Sequence, residues 1–410
     1  MWANRNVWII LSGELIAGLG LWMGIIGNLE FMQEKVPSDF MKSIILSIGL
    51  LAGILVGPLA GKIADQSRKK TVMIYSGLGR MLSVVFMFIA IYTGSVIWLV
   101  VFVISIQIAA SFYFPALQSA IPLIVEGKDL LRMNGVHMNV ATITRIIGTS
   151  LAGIMLVAMS LYMLYLFSFI AYFLLFIFTM FLKMDEEPEL KDKKQEKEEA
   201  KGSFKEVFPV IKGLPIVFMT LVLSLVPMLF LGGFNLLVIK ISEFHDDSLI
   251  KGMIYSVEGI SFMLGAFLVK KMSNYWSPYS IMFFFSIIVG LAQISLFFVA
   301  SKIVVLAAFG IVGFSVGCFF PTAATIFQTR IPKEFHGRFF SFRNMLDRVM
   351  FQVVLLGTGF LLDLVGMQFM VVIFGLISVG LTTLFYLQYR RQRSQESNEK
   401  TTSFKENLMQ

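Results

Sequence analysis

The sequence predicts an all-α membrane protein of twelve transmembrane helices arranged as two six-helix bundles. Composition, a series of long apolar windows, and a one-sided distribution of Lys and Arg predict it. Of the 410 residues, 57% are hydrophobic and only 15% are charged, against about 25% charged in soluble domains. With 41 Phe, 25 Met and a mean hydropathy of +0.80, too little polar surface remains to clothe a water-soluble globule. Backbone groups in lipid are satisfied only in helices or closed barrels, and these apolar runs are too long and uniform for barrel strands.

The windows fall at 7–29, 42–60, 71–92, 96–118, 136–158, 160–182, 216–239, 251–269, 279–299, 303–326, 344–362 and 369–388. Each is long enough to cross about 30 Å of hydrocarbon at about 1.5 Å per residue. The first contains Glu14, lacks a small-residue cleavage site and is followed by further spans, so it reads as a retained helix rather than a signal peptide. Arg5, the Lys62 to Lys70 loop, Lys128, Arg132, Lys270, Lys271, Arg330, Lys333, Arg338 and Arg390 to Arg393 fall on one side. The other side carries Glu30, Glu34, Lys35, Asp39 and the mixed stretch from Glu243 to Asp247. The positive-inside rule then places both termini in the cytoplasm of a plasma-membrane protein, which requires an even number of spans.

Between the sixth and seventh windows, DEEPELKDKKQEKEEAKGSFKE is dense in both charge signs and nearly free of apolar residues. Such a segment cannot bury a core and reads as a solvated tether. The expected organisation is therefore an N-terminal bundle at 1–183, a cytoplasmic linker at 184–215, a C-terminal bundle at 216–389 and a tail at 390–410.

Several function classes are disfavoured. The net charge of +8 sits in inter-helix loops, as topology demands, which argues against nucleic acid. The single cysteine, Cys318, allows neither an internal disulfide nor a cysteine metal cluster. His137, His245 and His336 are scattered, form no metalloenzyme motif and read as surface residues. No Gly-rich Lys-Ser/Thr phosphate loop is present to hydrolyse ATP. No enzyme, cofactor or metal is expected.

The two halves echo one another. Phe114-Pro115 followed by Ile121-Pro122 has its counterpart in Phe320-Pro321 followed by Ile331-Pro332, each pair leading into a short charged loop. The loop after the second window reads GPLAGKIADQSRKKTVMI. It resembles the loop motif of the major facilitator superfamily at Gly61, Asp65, Arg68, Lys69 and Lys70, departing from it at Gln66, where an arginine is usual. FPALQSAIPLIVEGKDLLRMNG and FQTRIPKEFHGRFFSF are similar to segments of the macrolide-efflux-like branch of the drug:proton antiporters. The resemblance spans roughly Asn6 to Tyr389 and implies the major facilitator fold, with substrate bound between two rocking halves. It implies a secondary transporter, expected to be monomeric, that exports amphiphilic drug-like compounds by proton exchange. A lipid (lysophospholipid) or siderophore carrier of the same fold is the alternative. It further implies that Asp65 latches onto the start of the eleventh helix, near Phe340 to Arg343, when the cytoplasmic side closes.

Ionisable residues within a span cost about 2.5–3.5 kcal/mol on insertion scales, so they should face a cavity or a partner. Glu14, Arg145, Glu258 and Asp347 meet that description and are candidates for proton coupling or for meeting a substrate charge. The competing reading is static pairing, Glu14 with Arg145 and Asp347 with Arg343. Arg80 reads as a snorkelling or structural residue. Trp22, Gln107, Phe112, Tyr113, Asn235 and Phe319 are candidates for lining the substrate cavity, the two amides because an unused amide in lipid is costly.

Overall fold

The computed structural model describes residues 2–184, 207–332 and 335–409, which leaves most of the charged linker outside the described residues. Its first six helices are α1 (Arg5–Lys35), α2 (Asp39–Gln66), α3 (Lys69–Thr93), α4 (Val96–Ile124), α5 (Gly127–Ala158) and α6 (Leu161–Met180). After the linker come α7 (Val207–Gly213), α8 (Pro215–Leu223), α9 (Leu225–Leu231), α10 (Phe234–His245) and α11 (Leu249–Met272). The chain continues with α12 (Pro278–Ser295), α13 (Lys302–Arg330) and α14 (His336–Met409). No β-strand occurs among the described residues.

Local chemistry sets the helix limits. The side chains of Asn4, Ser38, Ser277 and Ser301 accept hydrogen bonds from the backbone N–H of Asn6, Met41, Ser280 and Val304, capping α1, α2, α12 and α13. Gly94 ends α3 at a positive φ of 67°, where a side chain would be strained. A second such glycine, Gly366 with φ 78°, breaks α14 and separates the eleventh and twelfth apolar windows. Among the described residues, eleven helical stretches are thus long and apolar enough to cross a membrane, and the last of them holds two of the twelve expected spans.

Two details depart from the windows. The fourth and tenth helices run on to Ile124 and Arg330, so Pro115, Pro122 and Pro321 lie inside them. Apolar windows stop where lipid does, whereas helices continue beyond it, and neighbouring helices make proline tolerable in a span. The seventh window is not one helix but α8, α9 and α10, with breaks at Ser224 and at Gly232–Gly233.

Contacts divide the chain into two compact units. The first is Met1–Ala200 with Gly233–Gly259 and Leu355–Leu364; the second is Lys201–Gly232, Ile260–Val354 and Val365–Gln410. Within the first unit α1 packs along α5 and α6, and α4 packs along α2 and α3. Small residues allow close approach: a Cβ on Gly20 would lie 2.6 Å from that of Ala171, and the Gly153 and Gly252 backbones touch. Within the second unit α12 lies along α13. There Gly265 and Gly317 draw α11 against α13, with Cys318 buried in the seam.

Candidate functional site

The polar side chains in and beside the first unit's spans form three groups. The first surrounds Glu14. Because α1 is wedged between α5 and α6, and Gly18 rests against Thr144 of α5, the Glu14 side chain faces α4 and α5. Tyr113 of α4, fully buried, donates its hydroxyl to Glu14 Oε1 at 2.7 Å. His137 of α5 places Nε2 3.5 Å from Glu14 Oε2, and both side chains are only 13% exposed. The guanidinium of Arg80 on α3 lies 4.4 Å from the centre of the Tyr113 ring and 5.0 Å from that of Phe114.

One sequence reading is corrected here and another is decided. His137 is not a surface residue: α5 begins at Gly127, ahead of the fifth apolar window, and the imidazole, 13% exposed, faces Glu14. Of the two readings of Arg80, the structural one holds, since it is 4% exposed against two aromatic faces of α4.

The second group centres on Arg145 of α5, whose Nη2 donates to Glu258 Oε2 of α11. Glu14 therefore does not pair with Arg145, which lies about two turns along α5 from His137 and is claimed by Glu258. Gly259 makes room for this pair, since a Cβ there would meet the guanidinium at 3.2 Å. The Arg145 Nε is buried with no hydrogen-bond partner. The Trp22 ring lies 5.9 Å from the guanidinium and 6.0 Å from Tyr255, whose hydroxyl donates to Asn235. Ser150 and Ser256 share a hydrogen bond one turn away.

The third group lies at the ends of α1, α2, α10 and α11. Lys42, 1% exposed, bridges Asp39 at 3.0 Å and Glu243 at 2.7 Å, and Lys240 bridges Asp39 at 2.8 Å and Glu243 at 3.0 Å. Lys251, fully buried, reaches Glu30 at 2.8 Å and the hydroxyl of Ser242 at 2.6 Å. Asp363, exposed in the turn before Gly366, accepts from the Ser38 hydroxyl and from the backbone N–H of Asp39 and Phe40. Desolvation opposes ionisation of Asp363, yet those three hydrogen bonds outweigh it and hold its carboxyl below the usual range. Sequence reading did not single out Lys42 or Lys251. The available signal was a lysine at the first position of an otherwise apolar window, which is a poor place for an unpaired charge.

The remaining candidates are dispersed. Asp347 of α14 lies 3.6 Å from Arg343 Nε one turn earlier, the expected i, i+4 pair. Phe319 is buried in the second unit, edge-on to Phe320. Phe112 lines a groove between α2, α3 and α4 with Tyr75, Ser76 and Ser105. Gln107 is half-buried on α4, and its carbonyl accepts from Ser111. In the loop motif, Gly61 has open space around it, Arg68 caps α3 without a side-chain bond, and Lys69 Nζ reaches the Ser67 carbonyl at 3.4 Å. Lys70 is half-buried in the first turn of α3. The side chain of Asp65 lies outside the described residues.

Chemically, these groups can hold and release a proton and can bind a charge in a low-dielectric setting. No group of His, Cys, Asp and Glu among the described residues is arranged to hold a metal ion.

A family model described as Major Facilitator Superfamily matches residues 10–352. Over 396 residues the chain is 25% identical to the uncharacterized MFS-type transporter YfiS of Bacillus subtilis (strain 168), with 93% of each chain covered. Over 156 residues it is 26% identical to macrolide efflux protein A of Streptococcus pyogenes, covering 37% of each. Its structure is similar to that of the nucleoside transporter NupG, with a TM-score of 0.74, 14% identity, and 94% of this chain and 99% of that one covered. It is also similar to a bacterial homologue of the iron transporter ferroportin, with a TM-score of 0.70, 13% identity, and 92% and 98% covered. At such identities the structural likeness speaks to the fold alone.

Proposed function

The chain belongs to the Major Facilitator Superfamily and is a multi-pass membrane transporter rather than an enzyme; on that premise we propose that it exports amphiphilic compounds in exchange for protons. In this reading it works as a monomer in the cell membrane with both termini cytoplasmic. The six helices before the linker and those after it rock about a shared binding crevice. The loop motif at Gly61, Asp65, Arg68, Lys69 and Lys70 gates the cytoplasmic side.

The observation that carries the proton coupling is the environment of Glu14. Its carboxylate is bonded to a phenol and faces an imidazole, a setting in which a proton can come and go without tearing apart an arginine or lysine pair. Amphiphile export rests on the loop signatures and on the partial likeness to macrolide efflux protein A. The outer-end ion pairs support alternating access. Asp39, Lys42, Lys240 and Glu243 tie helix ends that lie on opposite sides of the linker in sequence, and these ties must come apart if the halves rock.

The test is an accumulation and resistance screen in cells with and without the gene, with and without an uncoupler. Expected is lower accumulation of amphiphilic antibiotics in expressing cells, abolished by the uncoupler. Export that survives collapse of the proton gradient excludes proton coupling. Movement of lysophospholipid or siderophore but not of antibiotics selects the alternative carrier.

A further inference from the structure

The Glu14 site holds more titratable chemistry than a single carboxylate. We propose that His137 is a proton-carrying partner of Glu14, so that the two side chains share the coupled proton as one dyad, a step that deepens the proton-exchange reading above and rests on it.

The geometry argues for a dyad as follows. Tyr113 occupies Glu14 Oε1, so the carboxylate oxygen left for another donor is Oε2, and that is the oxygen His137 faces at 3.5 Å. The separation lies just outside the 2.7–3.2 Å of a direct N–H···O bond, so closing it by about half an ångström forms a charge-assisted bond. Both side chains are shielded to the same degree, 13% exposed. Imidazole is the side chain whose charge ordinarily changes between about pH 5 and 8. One proton leaves the pair without net charge whichever partner holds it, and this matters in a medium where an isolated charge is costly.

Among the described residues the charged group that the imidazole faces is Glu14 of α1. The other oxygen of that carboxylate is taken by Tyr113 of α4, and Arg80 of α3 lies against the Tyr113 and Phe114 rings. The α6 segment Leu161–Met180 contains no Asp, Glu, Lys, Arg or His. On α5 itself Arg145 is engaged by Glu258 of α11, and Arg132 lies over the Trp2 ring at 5.1 Å. All the dyad's members belong to helices before the linker, so the dyad can keep its proton while other contacts change.

The chain contains only three histidines, so imidazole NMR of the full-length protein in detergent can follow each. His137→Gln assigns the resonance. Glu14→Gln is expected to displace the His137 resonance, because the carboxylate oxygen that the imidazole faces is gone. His245 and His336 should stay in place. A His137 resonance indifferent to Glu14→Gln overturns the dyad. In proteoliposomes, His137→Gln is expected to flatten the dependence of transport on pH between about 5.5 and 7.5, and a profile matching the parent over that range overturns its part in the cycle. If the parent itself ignores an imposed pH gradient, the proton-exchange reading fails, and the His137 resonance still decides separately whether the two residues are coupled.

Discussion

The Glu14 group and the Arg145–Glu258 pair are both charged, both within the same compact unit and both shielded from water, yet they are built for different tasks. Glu14, Tyr113 and His137 all come from helices before the linker, and their bonds are of the kind a proton can rearrange. Arg145 and Glu258 come from helices on either side of the linker, and their bond is between full opposite charges with the carboxylate 5% exposed. The first can change protonation without moving a helix. The second cannot separate without exposing two charges or finding them new partners. The difference teaches that a buried acid should be assigned by the elements its partner comes from, and not by burial alone.

That contrast can be broken experimentally, beginning with the largest effect. Arg145→Ala strands Glu258 as an unpaired buried carboxylate, and removing one partner of such a pair costs about 3–5 kcal/mol. The expected outcome is a marked fall in thermal stability in detergent, with much of it regained in Arg145→Met/Glu258→Met. A single variant as stable as the parent would mean that the pair is held only loosely.

Glu14→Gln probes the other side of the comparison. The amide still accepts from Tyr113, so folding should survive, while gradient-driven transport falls at least about tenfold, equivalent to roughly 1.4 kcal/mol. Glu258→Gln should instead weaken the α5–α11 tie, and at least one of these two variants is expected to lose coupling.

The charges at the ends of α2 and α10 should respond next. Lys42→Met leaves Asp39 and Glu243 sharing only Lys240. Ser43, buried against Gly359, provides a reporter, and Cys318, also buried, leaves little background. Labelling of Ser43→Cys by an impermeant maleimide should rise several-fold when Lys42→Met is added, and unchanged labelling would deny these residues a closing role. The smallest effect concerns pH. The Asp363 carboxyl is held below the usual range, so its hydrogen bonds to Ser38 and the α2 start stabilise the α2–α14 contact at neutral pH and above. They are lost as pH falls through that lowered value. Maleimide labelling should therefore increase modestly only in strong acid, and Asp363→Ala should show the increase already at neutral pH.

Much of the fold was legible because lipid imposes a one-dimensional rule: long apolar windows, sided cations and one charged interruption. Gly366 divides the last two windows as their spacing implied, whereas the breaks at Ser224 and Gly232 lie inside a window that hydropathy cannot resolve. The site was legible only in part. Glu14 and Glu258 stood out because a carboxylate in a span demands a reason, but their partners lie 99 and 113 residues away. No spacing rule links them, so the sequence alone pairs Glu14 with Arg145 as readily as with Tyr113 and gives His137 no reason to be buried. Lys42 and Lys251 were hidden because a lysine at a window's edge looks like an ordinary topological charge until the acids that bury it are seen.

The central claim is that a proton bound at Glu14 drives export, and transport into proteoliposomes under an imposed pH gradient tests it most directly. The parent should accumulate an amphiphilic probe against its concentration gradient, and Glu14→Gln should reach only equilibration while still binding the probe. Uphill accumulation by Glu14→Gln equal to that of the parent would contradict it.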